Sequence, residues 1–326
     1  MKTKEPTTLQ QAIIYYSDYE NCHRFMMELR WPDGKVTCPR CGSEDVKWLP
    51  NAKVFKCYQK HEKQKFSLKV GTIFEDSPIP LEKWLVAVWL IVNCKNGISS
   101  YEIHRDLGIT QKSAWFMAHR IRLALQGKGF IKLGGPDSNV EVDETWIGGK
   151  ARNMHAVVRR RRNVKDKHAK TMVIGAVERG GKVYAKVVPD RKKQTILDVI
   201  IPAIETGSTV HTDELPAYIH AIGDSYQHKV INHLEKYVDG EVHTNSIENF
   251  WSCLKRGLGG TYIAVEPFHL FRYVDEQAFR FNNRATKDNP LNDADRFTLA
   301  MSQIVGKRLT YQELTGKTEA AGSLPF

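Results

Sequence analysis

The chain has 326 residues, 41% of them hydrophobic and 26% charged, a composition typical of globular proteins with two or three domains. Its formal net charge of +11 favours a polyanionic partner. The longest apolar run, residues 84–92, is too short to span a bilayer, and the polar start MKTKEPTTLQQ lacks an apolar signal core. We therefore expect a cytoplasmic protein with no membrane partner, in which close cysteine pairs bind metal.

The first third of the chain alternates between helical and strand-like segments. Hydrophobic spacing predicts a helix over residues 8–30, and Pro32-Asp33-Gly34 then forms a turn. Short strands are predicted within the lysine-rich residues 36–70. A second helix is expected to begin after Pro80, with one apolar stripe along it.

Four potential zinc ligands lie in the lysine-rich segment. Cys38 and Cys41 form a CxxC pair, and Cys57 and His61 follow after a gap typical of zinc ribbons. One structural Zn²⁺ would stabilise a module too small to fold on its own core. The alternative is that the cysteines are isolated buried thiols and that His61 is a surface residue.

Two short helices are predicted next. Ser99 and Glu102 have the spacing of a capping box, Gly108 suits a helix stop, and Thr110 can cap the second helix. Such a pair is a helix-turn-helix candidate whose second helix would present Lys112 and Arg122, among others, to DNA. A plain helical hairpin is the alternative.

After Gly134-Gly135-Pro136 the pattern changes to strands separated by helices. The order β-β-β-α-β-α-β-α is that of a ribonuclease H-like domain. The predicted strands cover residues 140–147, 171–178, 182–188, 208–212 and 227–232. The predicted helices cover residues 194–205, 215–222, 246–258 and 268–283.

Three acidic residues stand out: Asp143 lies in the middle of the first strand, Asp213 ends a later strand and Glu248 lies at the start of a helix. Alternation along the first strand puts Asp143 on the face of Glu141 and puts Glu144 on the opposite face. Carboxylates on adjacent strands and a nearby helix can hold two divalent cations, Mg²⁺ or Mn²⁺, around a phosphodiester. Surface acids are the alternative for any single residue. The rival candidates are Glu141 and Glu144 for the first position, and Asp239 and Glu241 for the third.

The helix that carries Glu248 offers further polar residues. Asn245 and Lys255 share the border of its apolar stripe with Glu248. Lys255 lies two turns after Glu248 and could reach a phosphate near the metals. His243 enters the same turn and could orient DNA or a metal-bound water.

These residues belong to segments that resemble the DDE-type transposases of bacterial insertion sequences, in the ISXO2-like branch with an N-terminal zinc ribbon. The segments are VEVDETWIGGK, HTDELPAY, HTNSIENFWSCLKRGLGGTY, CPRCGSEDV, KFSLKVGTIFEDSPIPLEKW, FRFNNR and KRLTYQEL. The resemblance covers residues 17 to 315. It implies a ribonuclease H-like catalytic domain in which Asp143, Asp213 and Glu248 are the catalytic acids and Lys255 is the basic residue that follows. His61 stands where the branch usually has a cysteine. Asn245 is the alternative third ligand, and Glu248 is favoured because a carboxylate binds a hard cation better.

A basic stretch follows the first catalytic strand. Residues 150–170 contain nine Lys or Arg residues and one acid. They include Arg159, Arg160, Arg161 and Arg162. Together with Arg256, this stretch is expected to neutralise DNA phosphates. A solvated loop is the alternative.

The sequence thus predicts a multidomain α+β protein with four parts. They are an N-terminal helix and zinc ribbon (1–75), a helix-turn-helix region (76–133), a ribonuclease H-like α/β catalytic domain with a mixed sheet (134–290) and a C-terminal tail (291–326).

The expected function is a nucleoid-associated bacterial transposase. It would bind terminal inverted repeats, cleave a strand and join the freed 3′-OH to target DNA. Pairing two ends requires a homodimer or higher oligomer. The alternatives are a nuclease or resolvase without strand transfer, and a zinc-ribbon regulator with an inactive catalytic domain.

Overall fold

The computed structural model describes residues 5–127, 132–149, 157, 170–190, 192–213, 222, 225–231, 243–287 and 289–316. The described residues form two compact units. The first takes in those of Met1–Gln126 together with those of Asn283–Leu324, and the second those of Gly127–Asn282. The four-part division expected from the sequence stays a prediction.

The first unit begins with two helices, α1 (Leu9–Tyr16) and α2 (Tyr19–Arg30). Between them Asp18 is extended, with φ −87° and ψ 122°, and its side chain accepts a 2.9 Å hydrogen bond from the backbone N–H of Glu20. An aspartate in this position caps a new helix. The prediction of one helix over residues 8–30 is therefore right in type and wrong in continuity.

A small antiparallel sheet follows. Its strands are β1 (Val46–Leu49), β2 (Val54–Cys57) and β3 (Lys65–Phe66), with β2 in the centre. The ring of Phe55 stacks on Phe66 at 5.4 Å and lies 4.8 Å from Trp48. These few aromatic contacts are a small core, and modules of this size usually need a metal or a disulfide.

Helix α3 (Leu81–Asn93) begins directly after Pro80, as predicted. Ten of its 13 residues are buried, so it is a central helix of this unit rather than an amphipathic surface helix.

The predicted helix pair is present as α4 (Ser100–Leu107) and α5 (Gln111–Leu125). The capping box between Ser99 and Glu102 is formed in both directions, at 2.7 and 3.2 Å. Gly108 ends α4 with φ +57°, a conformation that favours glycine. The helices and their caps are confirmed, while their DNA-binding role stays a prediction.

The second unit contains a mixed sheet and a separate strand pair. In chain order the strands of this unit are β4 (Leu133–Gly134), β5 (Asn139–Ile147), β6 (Thr171–Glu178), β7 (Val183–Val188), β8 (Ile204–Glu205), β9 (Thr209–Asp213) and β10 (Gln227–Ile231). Five of them form one sheet in the order β10-β9-β5-β6-β7, and β4 pairs with β8. Strand β5 pairs antiparallel with β6 and parallel with β9, so it lies at the centre.

Both faces of this sheet carry apolar cores. On one face Val140 and Val142 pack with Ile196 of helix α6 (Lys193–Val199). The other face packs against α7 (Asn245–Arg256) and α8 (Leu270–Asn282).

Some predicted bounds of these helices differ from the structure. Helix α6 is shorter than the predicted 194–205, because a 3-10 turn (Ile201–Ala203) containing Pro202 follows it. After α7 the chain continues as a π-helical turn, Gly257–Tyr262. The predicted helix over 215–222 lies outside the described residues, except for Ile222.

The chain then returns to the first unit as α9 (Asp293–Met301) and α10 (Tyr311–Leu314). Phe297 is 1% exposed, and its ring lies 5.6, 5.4 and 5.2 Å from the rings of Tyr16, Phe25 and Trp89. The segment expected to be a polar tail therefore contributes a central side chain to this core. None of the helices in the described part of the chain is long and apolar enough to cross a membrane.

Candidate active site

Three cysteines and one histidine come together beside the small sheet. The Sγ of Cys38 lies 3.6 Å from Nε2 of His61, and the Sγ atoms of Cys41 and Cys57 lie 3.7 Å apart. All four ligand atoms lie within 4.8 Å of one another. A tetrahedral zinc ion, with bonds of about 2.3 Å to sulfur and 2.0 Å to nitrogen, would separate two sulfurs by about 3.8 Å and a sulfur and a nitrogen by about 3.5 Å. The predicted ligands therefore have the spacing of a closed zinc site.

The surroundings of these ligands also suit a metal. Nδ1 of His61 lies 2.7 Å from the carbonyl oxygen of Glu62, so a proton on Nδ1 leaves the Nε2 lone pair for the ion. Burial opposes ionisation of Cys38, but hydrogen bonds from the backbone amides of Arg40 and Cys41 outweigh it and lower the pKa of Cys38 to about 7. Burial and the neighbouring thiols raise the pKa of Cys57 to about 11, so Cys38 ionises before Cys57 and a zinc ion would displace the proton from Cys57.

In the second unit, carboxylates meet just beyond the paired part of two parallel strands, at the middle of β5 and the end of β9. The ladder between β5 and β9 pairs Glu141 with His211, and two residues further along each strand come Asp143 and Asp213. Asp213 is the last residue of β9. One oxygen from each of Asp143, Glu144 and Asp213 lies within 4.8 Å of the others. Clustered carboxylate oxygens are the ligands preferred by hard divalent cations.

Glu144 is an addition to the expected cluster, since strand alternation assigns it to the opposite face from Asp143. The β5–β9 ladder covers Asn139–Glu141 of β5 and stops before positions 143 and 144. The sequence signal for Glu144 is only its place next to Asp143 in this strand.

Asp143 is held by a neighbouring indole. The Nε1–H of Trp251 in α7 donates a 3.0 Å hydrogen bond to Oδ2 of Asp143. Burial, helped by the charge of Glu144, raises the pKa of Asp143 to about 7, although the hydrogen bond from Trp251 opposes this shift. A cation bound here would compete with a proton for the Asp143 carboxylate.

The third predicted acid lies apart from this cluster. Glu248 is exposed in the first turn of α7, where its Oε1 accepts a 3.3 Å hydrogen bond from the hydroxyl of Thr244. Among the described residues, the carboxylate group within 4.8 Å contains Glu144 and not Glu248. Asn245, the first residue of α7, and Lys255 are also exposed. The choice between Glu248 and Asn245 as third ligand stays a prediction.

Glu141 is fully buried and binds the start of α7. Its Oε2 accepts hydrogen bonds from the backbone N–H groups of Ser246 (2.7 Å) and Ile247 (3.0 Å). Its Oε1 pairs with Nε of Arg179 at 2.7 Å and lies 3.2 Å from Nδ1 of His243. Glu141 therefore caps α7 rather than joining the carboxylate group.

The predicted DNA-contacting residues have different environments. Lys112 is exposed, with its ammonium 4.7 Å from the ring centre of Tyr311, and Arg256 is exposed at the end of α7. Arg122 is only 2% exposed, because its position on α5 lies on the buried side next to Ile121, so it is not presented to solvent as expected. Arg159, Arg160, Arg161 and Arg162 lie outside the described residues, as do the rival acids Asp239 and Glu241.

Two family descriptions match the chain. Residues 132–282 match the ISXO2-like transposase domain, and residues 17–59 match a transposase zinc-ribbon domain. These ranges contain the carboxylate group and three of the four zinc ligands.

Two relatives carry names of the same kind. An uncharacterized transposase-like protein of Haemophilus influenzae is 32% identical over 106 residues, covering 32% of this chain and 85% of the relative. An uncharacterized protein in transposable element ISH50 of Halobacterium salinarum is 27% identical over 257 residues, covering 72% of this chain and 81% of the relative. The fold, the carboxylate group and these matches together define an insertion-sequence transposase with a zinc ribbon and a DDE domain. The chain belongs to the ISXO2-like transposase family.

Proposed function

We propose that this transposase binds the terminal inverted repeats of an insertion sequence, cleaves a strand at each end and transfers the freed 3′-OH to target DNA. The observation that carries the proposal is the carboxylate group of Asp143, Glu144 and Asp213 on the adjacent parallel strands β5 and β9, in a chain of a transposase family.

Asp143 and Asp213, with Glu248 or Asn245 from α7, would hold two divalent cations, Mg²⁺ or Mn²⁺. When bound, such cations activate the attacking oxygen of water or of the 3′-OH and stabilise the departing oxygen of the phosphodiester. Trp251 fixes one oxygen of Asp143, which limits the orientations of that carboxylate. Lys255 is exposed two turns after Glu248 and would neutralise a DNA phosphate beside the acids.

The second unit would be a ribonuclease H-like catalytic domain. Its support is the run of three antiparallel strands β5, β6 and β7, continued by β9 and β10 parallel to β5, with α7 packed on one face.

DNA recognition would come mainly from the first unit. The zinc ribbon, with one Zn²⁺ on Cys38, Cys41, Cys57 and His61, and the helix pair α4–α5 would read the end sequence. Exposed Lys112 supports this role. Arg256 and the basic stretch from Arg159 to Arg162 would bind the sugar–phosphate backbone of the DNA. Because the reaction joins two ends, we propose a homodimer or higher oligomer in the synaptic complex.

The test is a strand-transfer assay with an oligonucleotide carrying the element's terminal repeat and a target plasmid. Wild-type protein should join the two in the presence of Mg²⁺ or Mn²⁺. Asp143→Asn should bind the oligonucleotide normally but not join it. Asp198→Asn, which removes an exposed carboxylate from α6, should join at the wild-type rate.

Each other outcome assigns a different function. Cleavage of the end without joining would indicate a nuclease or resolvase. Specific binding with neither cleavage nor joining would indicate a DNA-binding regulator. Undiminished joining by Asp143→Asn would remove Asp143 from the site.

A further inference from the structure

Two side-chain contacts join helix α7 to strand β5 beside the carboxylate group. At the start of the helix, the buried carboxylate of Glu141 accepts hydrogen bonds from two backbone amides, those of Ser246 and Ile247. One and a half turns later, the indole of Trp251 donates to Asp143. Both strand residues lie on the same face of β5, two positions apart.

The contact at Glu141 is strong for two reasons. The free N–H groups and dipole at a helix N-terminus favour a negative charge, and a carboxylate accepts charge-assisted hydrogen bonds. Arg179 balances the buried charge at 2.7 Å, and its Nη2 also donates to the backbone carbonyl of His243 at 2.7 Å, just before the helix. Glu141 thus fixes both the first turn of α7 and the residue that leads into it.

The contact at Trp251 depends on a glycine. Gly175 of β6 is paired directly with Asp143 in the sheet. A Cβ at Gly175 would lie 2.8 Å from Cη2 and 3.1 Å from Cζ2 of Trp251. It would also lie 3.2 Å from the backbone carbonyl oxygen of Tyr184. The missing side chain therefore makes the space in which the indole ring lies over the sheet and reaches Asp143.

We propose that Glu141, Gly175 and Trp251 form a two-point clamp that positions the metal ligands of this site. Glu141 sets the start of α7 and so the location of Asn245 and Glu248. Trp251, lying over Gly175, sets the orientation of the Asp143 carboxylate. The three are positioning residues, and the inference rests on the proposed divalent-metal function of Asp143 and of Glu248 or Asn245.

The test measures equilibrium Mn²⁺ binding to the purified full-length protein by electron paramagnetic resonance, without DNA. Trp251→Phe keeps an aromatic ring but removes the N–H donor, and it should weaken Mn²⁺ binding about 10-fold, the usual effect of losing a partner of a ligating side chain. Glu141→Gln and Gly175→Ala should weaken binding to a similar extent, because each disturbs one point of the clamp.

The control is Glu276→Gln. Glu276 is also fully buried in this unit, where it pairs with Arg280 and accepts a hydrogen bond from the hydroxyl of Tyr262, and both partners lie outside α7 and β5. This variant should lower the melting temperature without changing Mn²⁺ affinity. It separates loss of positioning from loss of stability, because all affinities are measured well below the melting temperatures.

A double variant tests whether Gly175 is needed to make space for the Trp251 ring. Phe at position 251 lacks the ring atoms that a Cβ at Gly175 would meet. Gly175→Ala combined with Trp251→Phe should therefore lose less Mn²⁺ affinity than the sum of the two single losses, because only the contact with the carbonyl oxygen of Tyr184 remains. Additive losses would overturn the assigned role of Gly175.

Wild-type Mn²⁺ affinity in Trp251→Phe and in Glu141→Gln would overturn the clamp, as would a wild-type protein that binds no Mn²⁺. If Glu141→Gln does not fold, Trp251→Phe and the double variant still decide the matter. A wild-type protein that binds Mn²⁺ but neither cleaves nor joins DNA would refute the transposase proposal alone, since the Mn²⁺ comparison among variants needs no DNA.

Discussion

Because the pKa of Asp143 is raised, we expect metal binding at this residue to strengthen as the pH rises. With a pKa of about 7, this carboxylate is about 10% ionised at pH 6 and about 90% ionised at pH 8. Because a cation binds the ionised form, the apparent Mn²⁺ affinity should rise about 10-fold between these pH values. An ordinary aspartate, with a pKa of about 3.9, would give almost no change over this range.

The same shift affects stability when no metal is bound. Since the folded protein holds this proton more tightly than the unfolded chain, the contribution to stability is present below about pH 4. It is lost as the pH rises through about 7, by roughly 4 kcal/mol in all. Bound Mn²⁺ should offset the loss, because it compensates the charge of the buried, ionised carboxylate.

Isothermal titration calorimetry at pH 6, 7 and 8 measures the change in Mn²⁺ affinity, and urea unfolding of the metal-free protein at the same pH values measures the change in stability. Repeating the pH 7 titration in buffers of different ionisation enthalpy should reveal release of about half a proton per site. Asp198→Asn should behave as wild type. A flat affinity from pH 6 to 8, with no proton release, would contradict the reasoning.

Three further predictions concern the first unit. Removal of zinc with a chelator, or the change Cys57→Ser, should unfold the small sheet. Far-ultraviolet circular dichroism would report the loss by comparison with a Lys60→Ser control. An unchanged spectrum would argue against a structural metal. Phe297→Ala should lower the free energy of unfolding of this unit in urea by about 3–5 kcal/mol, because the ring is buried among three other aromatic rings. A loss under about 1 kcal/mol would mean that α9 is not part of the core. Lys112→Ala should weaken DNA binding and reduce its salt dependence by about one ion, whereas Arg122→Ala should lower stability and leave the salt slope unchanged. Equal salt slopes for the two variants would refute this distinction.

Local patterns predict most of the elements. The capping box at Ser99, the stop at Gly108 and the start after Pro80 each depend on neighbouring residues, so the sequence contains the whole signal. The break at Asp18 is also local, but apolar spacing does not reveal it, because that spacing continues on both sides of the cap.

Contacts between distant segments are harder to predict. The zinc ligands could be found because ligand type and spacing are characteristic even across 23 residues. No pattern in the sequence predicts that Glu141 binds a helix start 105 residues later, or that Gly175 makes space for Trp251. The burial of Arg122 depends likewise on the segments that pack around α5, and the apolar periodicity of α5 alone does not predict those segments.

The first unit is discontinuous in sequence, and this has a consequence for synthesis on the ribosome. Its core includes Phe297, which lies beyond all the described residues of the second unit. The second unit can therefore fold as soon as residue 282 leaves the ribosome, since domains generally fold as units during synthesis. The zinc-binding unit has to wait for α9. Its final assembly is then one of the last steps in making the protein, and a chain that stops before α9 would carry the carboxylate group in a folded second unit beside an incomplete first unit.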